Sequence, residues 1–135
     1  MTTPKVLASG LCLGLALLGC GVSPEAARDF HKAVVSTAET VGNDVPQRTR
    51  VLLALCGEQK VCAAGCEKEL SQTSAESWDD LQRARVLRDC DSSFSGSPDE
   101  WIRKRVGNVA PKVRAKLSPE EVKTFDQALK TLNIE

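Results

Sequence analysis

Tyrosine is absent from this chain, and aromatic residues of any kind are few: Trp78, Trp101 and three phenylalanines in 135 residues. A core made mostly of Leu, Val and Ala gains less from each buried side chain than an aromatic one, so covalent staples would add what packing lacks. Histidine is nearly missing too. His31 stands alone, which leaves nucleophilic triads and histidine-rich catalytic metal sites one candidate and no company. It lies off the apolar face of its segment and reads as a solvated surface residue. Neither charge is in excess, because Lys+Arg and Asp+Glu number 18 each. A balanced chain offers phosphate backbones no basic field, and no nucleic-acid partner is expected.

The cysteine pairings of redox and metal chemistry are lacking as well. There is no Cys-x-x-Cys for thiol–disulfide catalysis and no Cys-x-x-Cys-His for haem attachment; the run Cys56, Cys62, Cys66 lacks the close pairs of structural zinc sites. Acidic pairs occur at Asp79-Asp80, Asp99-Glu100 and Glu120-Glu121. Each falls in the first turn of an expected helix, where the positive end of the helix dipole accounts for it. No metal, no cofactor and no enzymatic activity are expected.

Long apolar runs are limited to one. Val6 to Leu18 is the length of a signal-peptide core and well short of the roughly 20 residues that a spanning helix needs. It follows Lys5 and ends in Leu17-Leu18-Gly19-Cys20. Basic residue, apolar run, small residue and Cys, in that order, resemble the signal and lipobox of bacterial lipoproteins. The resemblance implies that residues 1–19 are removed and that the Cys20 thiol accepts the lipid. Residues 20–22 then form a lipidated N-terminus and short tether ahead of a single domain, 23–135. In that family an Asp after the acylated Cys retains the protein at the inner membrane. Gly21 stands here, which points to the outer membrane of the cell envelope, on its periplasmic side. Two or three acyl chains, palmitate among them, hold almost permanently, since each buried CH₂ contributes about 0.8 kcal/mol.

The 116 residues from Cys20 onward suffice for one hydrophobic core. Helix-start chemistry recurs along them. Ser23-Pro24-Glu25, Ser97-Pro98-Asp99-Glu100 and Ser118-Pro119-Glu120-Glu121 each place a capping hydroxyl, a proline at the first helical position and acids in the first turn. The last two add Glu at the third position, which completes a capping box. Asp44 with Gln47, and Thr73 with Glu76, offer two more starts. Apolar residues repeat at steps of three and four through Ala27, Phe30, Val34, Thr37 and Val41, and again through Val122, Phe125, Leu129 and Leu132. Val45, Leu52, Leu55, Cys56, Cys62, Ala63, Cys66 and Leu70 share one arc, with Gly57 leaving open a hinge or a continuous rod. In the stripe Ile102, Val106, Val109, Val113, Leu117, the Gly107-Asn108 pair and Pro111 argue that one helix ends near Gly107 and another opens at Asn108. The expected fold is all-α, a small bundle of five or six short helices stapled by two disulfides.

Cys12 leaves with the signal and Cys20 carries lipid, so Cys56, Cys62, Cys66 and Cys90 remain for those disulfides. Four cysteines allow three connectivities. Cys62 and Cys66 on one helix point the same way and reach different neighbours, and a hairpin near Ser71 to Thr73 favours Cys62 with Cys90 and Cys56 with Cys66.

Trp101, Arg103, Lys104, Arg105, Lys112, Arg114 and Lys116 carry six positive charges with no acid between residues 101 and 117. They form the candidate binding surface, suited to anionic headgroups or an acidic partner. The expected role is a lipid-anchored, non-catalytic adaptor or accessory subunit that binds another envelope protein. The alternatives are a lipoprotein that binds a small apolar ligand or lipid, and an inhibitor or immunity lipoprotein. Labelled palmitate supplied to cells should appear on the wild-type chain and on none of the Cys20→Ala variant. An unlabelled wild-type protein would refute the acylation.

Overall fold

The computed structural model describes residues 22–63, 65–67, 80–92 and 95–134, the side chains of 80–84 excepted. Among them the chain is all-helical, with no strand and five helices: α1 (Pro24–Val41), α2 (Val45–Glu58), α3 (Asp80–Cys90), α4 (Pro98–Arg114) and α5 (Pro119–Thr131). Four of these start where the capping residues indicate. The Ser23 hydroxyl accepts from the Ala26 N–H at 3.0 Å and the Asp44 carboxylate from the Gln47 N–H at 3.1 Å. Ser97 with Glu100, and Ser118 with Glu121, form complete capping boxes. The start at Thr73, the residues around Leu70 and the lipobox itself lie outside the described residues.

The apolar stripes meet in one cluster. Ala27, Phe30 and Val34 of α1, Leu52 and Cys56 of α2, Ile102, Val106 and Val113 of α4, and Phe125 and Leu132 of the C-terminal region are almost wholly withdrawn from solvent. Helix α1 packs against α2, α4 and α5, and α4 packs against α2 and α3. Gly42, at φ +56°, turns the chain between α1 and α2; a side chain there would strain the backbone.

Arg48 of α2, only 3% exposed, donates from Nε and Nη2 to the Asp99 carboxylate of α4 at 3.2 and 2.9 Å. The Thr49 hydroxyl reaches the same carboxylate at 2.8 Å and Arg103 Nε at 2.9 Å. Each arginine also holds the C-terminal turn after α5: Arg48 Nη1 donates to the Leu132 carbonyl at 3.2 Å, and Arg103 Nη1 to the Asn133 carbonyl at 3.1 Å. That turn is a Schellman cap, with Ile134 N–H to Leu129 O at 2.8 Å, Asn133 N–H to Lys130 O at 3.0 Å and Asn133 at φ +60°. The contacts fix the sense of every core helix. The start of α2, the start of α4 and the end of α5 gather at one end with the end of α1, so α1 and α5 run parallel. Val22, the Arg114–Ser118 turn and the end of α2 lie at the other.

Two expectations are corrected. α4 runs unbroken from Pro98 to Arg114, with Pro111 inside it and no helix start at Asn108. A proline in a helix costs about 3 kcal/mol. Val106, Val109 and Val113, all buried, straddle the expected break, and each buried valine contributes about 1.5–3 kcal/mol, so the stripe prevails. The connectivity also differs from the favoured pairing. α2 ends at Glu58, and Gln59 is extended. The chain then folds back through a turn closed by Cys62 N–H to Gln59 O at 3.1 Å. Cys62 thereby lands on Cys56, with a Cα separation of 5.2 Å and a disulfide between them. No single helix carries both Cys62 and Cys66, so the premise for pairing Cys62 with Cys90 and Cys56 with Cys66 fails. Cys66 and Cys90 carry free thiols.

Burial pushes the Asp99 carboxyl up, but the hydrogen bonds from Arg48, Thr49 and Arg103 outweigh it and hold it below its ordinary value of 3.8. The folded-state value therefore lies under the unfolded one. The stability it supplies is complete above about pH 4 and is lost as pH falls through the folded value. Asp99→Asn should destabilise the fold by about 3 kcal/mol by leaving Arg48 buried without a counter-charge. Thermal melts from neutral pH to about pH 2 should show a smaller acid-side loss in the variant than in the wild type; parallel curves would refute the assignment.

Candidate functional site

Between the parallel helices α1 and α5 lies an open groove of about 330 Å³. Its floor is apolar, made by Val35 and Ala38 of α1 and Ala128 of α5; exposed Glu39, Lys123, Thr124, Gln127 and Thr131 form its rim. Side-chain size explains the hollow. Nearer the start of both helices Phe30 and Phe125 fill the space edge to face, with ring centroids 6.4 Å apart. Further along, alanines stand where bulky residues would be needed to close the gap. The volume is near the lower bound of small-molecule sites, and an open trough cannot enclose a ligand as such sites do. It suits a side chain or short segment of a macromolecule.

His31 borders this groove and is not the solvated residue its position off the stripe suggests. α1 packs on three helices, so its buried arc is wider than the stripe, and the half-buried imidazole sits between α1 and α5. Its ring lies 5.9 Å from that of Phe125 at 65°. Thr124 donates to the Glu121 carbonyl at 3.0 Å, which leaves its oxygen to accept from His31 Nε2–H at 2.7 Å. His31 is thus engaged as a packing and orienting residue for a rim threonine. At the start of α5 the backbone N–H of Ser118 holds the Glu121 carboxyl below its usual range.

The basic residues of α4 divide into two groups. Trp101 is 3% exposed and faces inward, its indole N–H donating to Asp91 at 3.0 Å. Arg105 lies over the Trp101 ring at 5.1 Å and stands 3.8 Å from the buried Glu67 carboxylate. Arg103 is held by Asp99, and Arg114 pairs with Asp126 at 2.8 Å. Lys104, Lys112 and Lys116 remain as exposed cations. The structure therefore places the tryptophan in the core, pairs the three arginines with acids of the same chain, Arg114 at the surface, and leaves three lysines to solvent. Cys20 lies outside the described residues. Among the described residues no group of His, Cys, Asp and Glu could hold a metal ion.

The groove escaped the sequence because it depends on α1 meeting α5, some ninety residues on. The local signal was the alanines at positions 38 and 128. No protein-family model, curated protein or solved structure matches this chain.

Trp101→Ala should destabilise the domain by about 3–5 kcal/mol, as loss of a core aromatic does. The triple variant Lys104→Gln, Lys112→Gln, Lys116→Gln should stay within about 0.5 kcal/mol of wild type. Urea titration of both checks the division of α4 into core and surface.

Proposed function

We propose that the chain is a lipid-anchored, non-catalytic adaptor of the bacterial cell envelope, fixed through acylated Cys20 and offering the α1–α5 groove to another envelope protein. The observation that carries this reading is the burial of Val22, 5% exposed, two residues after Cys20. A tether made of Cys20 and Gly21 spans at most about 7 Å. The folded body therefore follows the acyl chains directly and sits at the headgroups of the outer membrane, on the periplasmic side. The end that carries Val22 and the Arg114–Ser118 turn faces the lipid, with Lys116 and Glu120 exposed there. Val35 to Glu39 lie twelve to sixteen residues along α1 from Ser23, a rise of about 18–24 Å. The groove thus stands clear of the attachment point.

Two features support a binding rather than a catalytic role. Three of the four acids in the pairs of α4 and α5 are engaged: Asp99 by two arginines, Glu100 and Glu121 by their own capping boxes. The space between the aromatic ends of α1 and α5 is filled by Phe30 and Phe125, which favours a protein partner on the groove over a lipid inside the bundle.

A photo-crosslinking amino acid placed at Thr131, on the groove rim, should yield a discrete protein adduct in the membrane fraction. The same probe at Lys104 should not, and Cys20→Ala should remove the Thr131 adduct. Adducts to lipid alone, or to protein only from Lys104, would refute the groove as the partner site.

A further inference from the structure

We propose that Cys66 and Cys90 are joined by a second disulfide in the exported protein. With Cys56 bonded to Cys62, the thiols left are Cys66, buried, and Cys90, exposed at the last residue of α3. The contacts beside them bring both to one patch of α4. Glu67, next to Cys66, is paired with Arg105; Asp91, next to Cys90, accepts from the indole of Trp101. Arg105 and Trp101 are themselves stacked, 5.1 Å from guanidinium carbon to ring centre. Residues four apart on a helix are neighbours on its surface. Each cysteine is therefore one residue from an anchor, and the two anchors occupy consecutive turns of one helix face. That placement brings the two cysteines to adjacent positions over one helix face, and a disulfide between them requires α-carbons about 4.4–6.8 Å apart.

The chemistry has a natural order. The accessible Cys90 sulfur, as thiolate, attacks the disulfide of a carrier protein, a thiol oxidoreductase of the oxidising compartment, and forms a mixed disulfide. One carrier sulfur leaves as a thiol. The Cys66 thiolate then attacks the Cys90 sulfur and expels the second carrier sulfur. Two protons and two electrons leave the pair of thiols, one sulfur–sulfur bond forms within the chain, and the carrier's bond is reduced to a dithiol. The alternative order would ask a protein-sized disulfide to reach a buried sulfur first.

The pairing rests on the export reading, and the experiment separates the two. The full chain is taken from the envelope fraction with its free thiols alkylated, then digested with trypsin without reduction. Cleavage after Lys60, Lys68 and Arg88 leaves Cys62 and Cys66 on one peptide, flanked by the Cys56 and Cys90 peptides. The expected product is all three linked and four hydrogens lighter than their sum. Fragmentation between Ala63 and Gly65 should leave the Cys56 peptide with the Cys62 side and the Cys90 peptide with the Cys66 side. Alkylated Cys66 and Cys90 beside an intact Cys56–Cys62 bond would overturn the proposal, as would any exchanged pairing. Alkylation of all four cysteines would count against export instead. The purified chain treated with oxidised glutathione then decides, and failure to form the Cys66–Cys90 link there while Cys56–Cys62 forms overturns the pairing.

Discussion

One partly buried carboxylate, held by a buried arginine, governs how the core helices stand to one another. Asp99 accepts from Arg48, Thr49 and Arg103 in the first turn of α4, where the helix dipole also favours an anion. Withdrawing a carboxylate and a guanidinium from water costs several kcal/mol for each, and attraction between them offsets this only when their remaining donors and acceptors are filled. Here they are filled from outside the pair. The second N–H groups of both arginines reach carbonyls at the end of α5 that no further helical turn would satisfy. The pair thus joins α2, α4 and α5, and the short Gly42–Asp44 turn brings the end of α1 to the same place.

The value of such a node lies in register more than in net stability. Apolar residues of equal volume often stabilise as well as a buried ion pair, but they tolerate sliding and reversal. Val, Leu and Ala stripes of the kind found here are nearly interchangeable, and a four-helix core built from them has several packings of similar energy. The packing adopted places two guanidinium groups against one carboxylate and two cap carbonyls together. The parallel sense of α1 and α5, from which the groove arises, follows from that arrangement.

Local chemistry was legible in the sequence, and long-range chemistry was not. Ser23, Asp44, Ser97 and Ser118 announce their helices because a cap and its acceptor lie within three residues of each other. The stripes through Phe30, Val106 and Phe125 name the core faces for the same reason: helical periodicity is local. Arg48 and Asp99 are 51 positions apart, and nothing in either segment marks one for the other. Trp101 and Arg105 looked like an outward basic-aromatic face because sequence alone cannot show Asp91 and Glu67 arriving to turn both inward. Pro111 misled in the opposite way. A strong local rule met a stronger tertiary term, and the buried valines on both sides kept the helix whole. The Cys56–Cys62 pairing depended on where α2 stops, the property that a glycine at position 57 left undecided.

The two ends of the bundle are consequently different in kind. At the end with Asp99, three helix termini are locked by charge-assisted hydrogen bonds and the end of α1 is joined to them by the Gly42–Asp44 turn. At the other, the chain enters through Val22 and is tightened by a disulfide that closes a short turn. A short closed loop restricts the unfolded chain less than a long one, so the Cys56–Cys62 bond acts chiefly by holding the end of α2 against the turn that follows it. The attachment proposed at this end would leave the charge node at the opposite end of the bundle from the lipid, with its balance of desolvation and hydrogen bonding undisturbed. The rim of the groove is polar and its floor is small and apolar. A partner that fills it gains buried apolar area over Ala38 and Ala128 without first removing a charged group from water, because Glu39 and Lys123 stand at the edge.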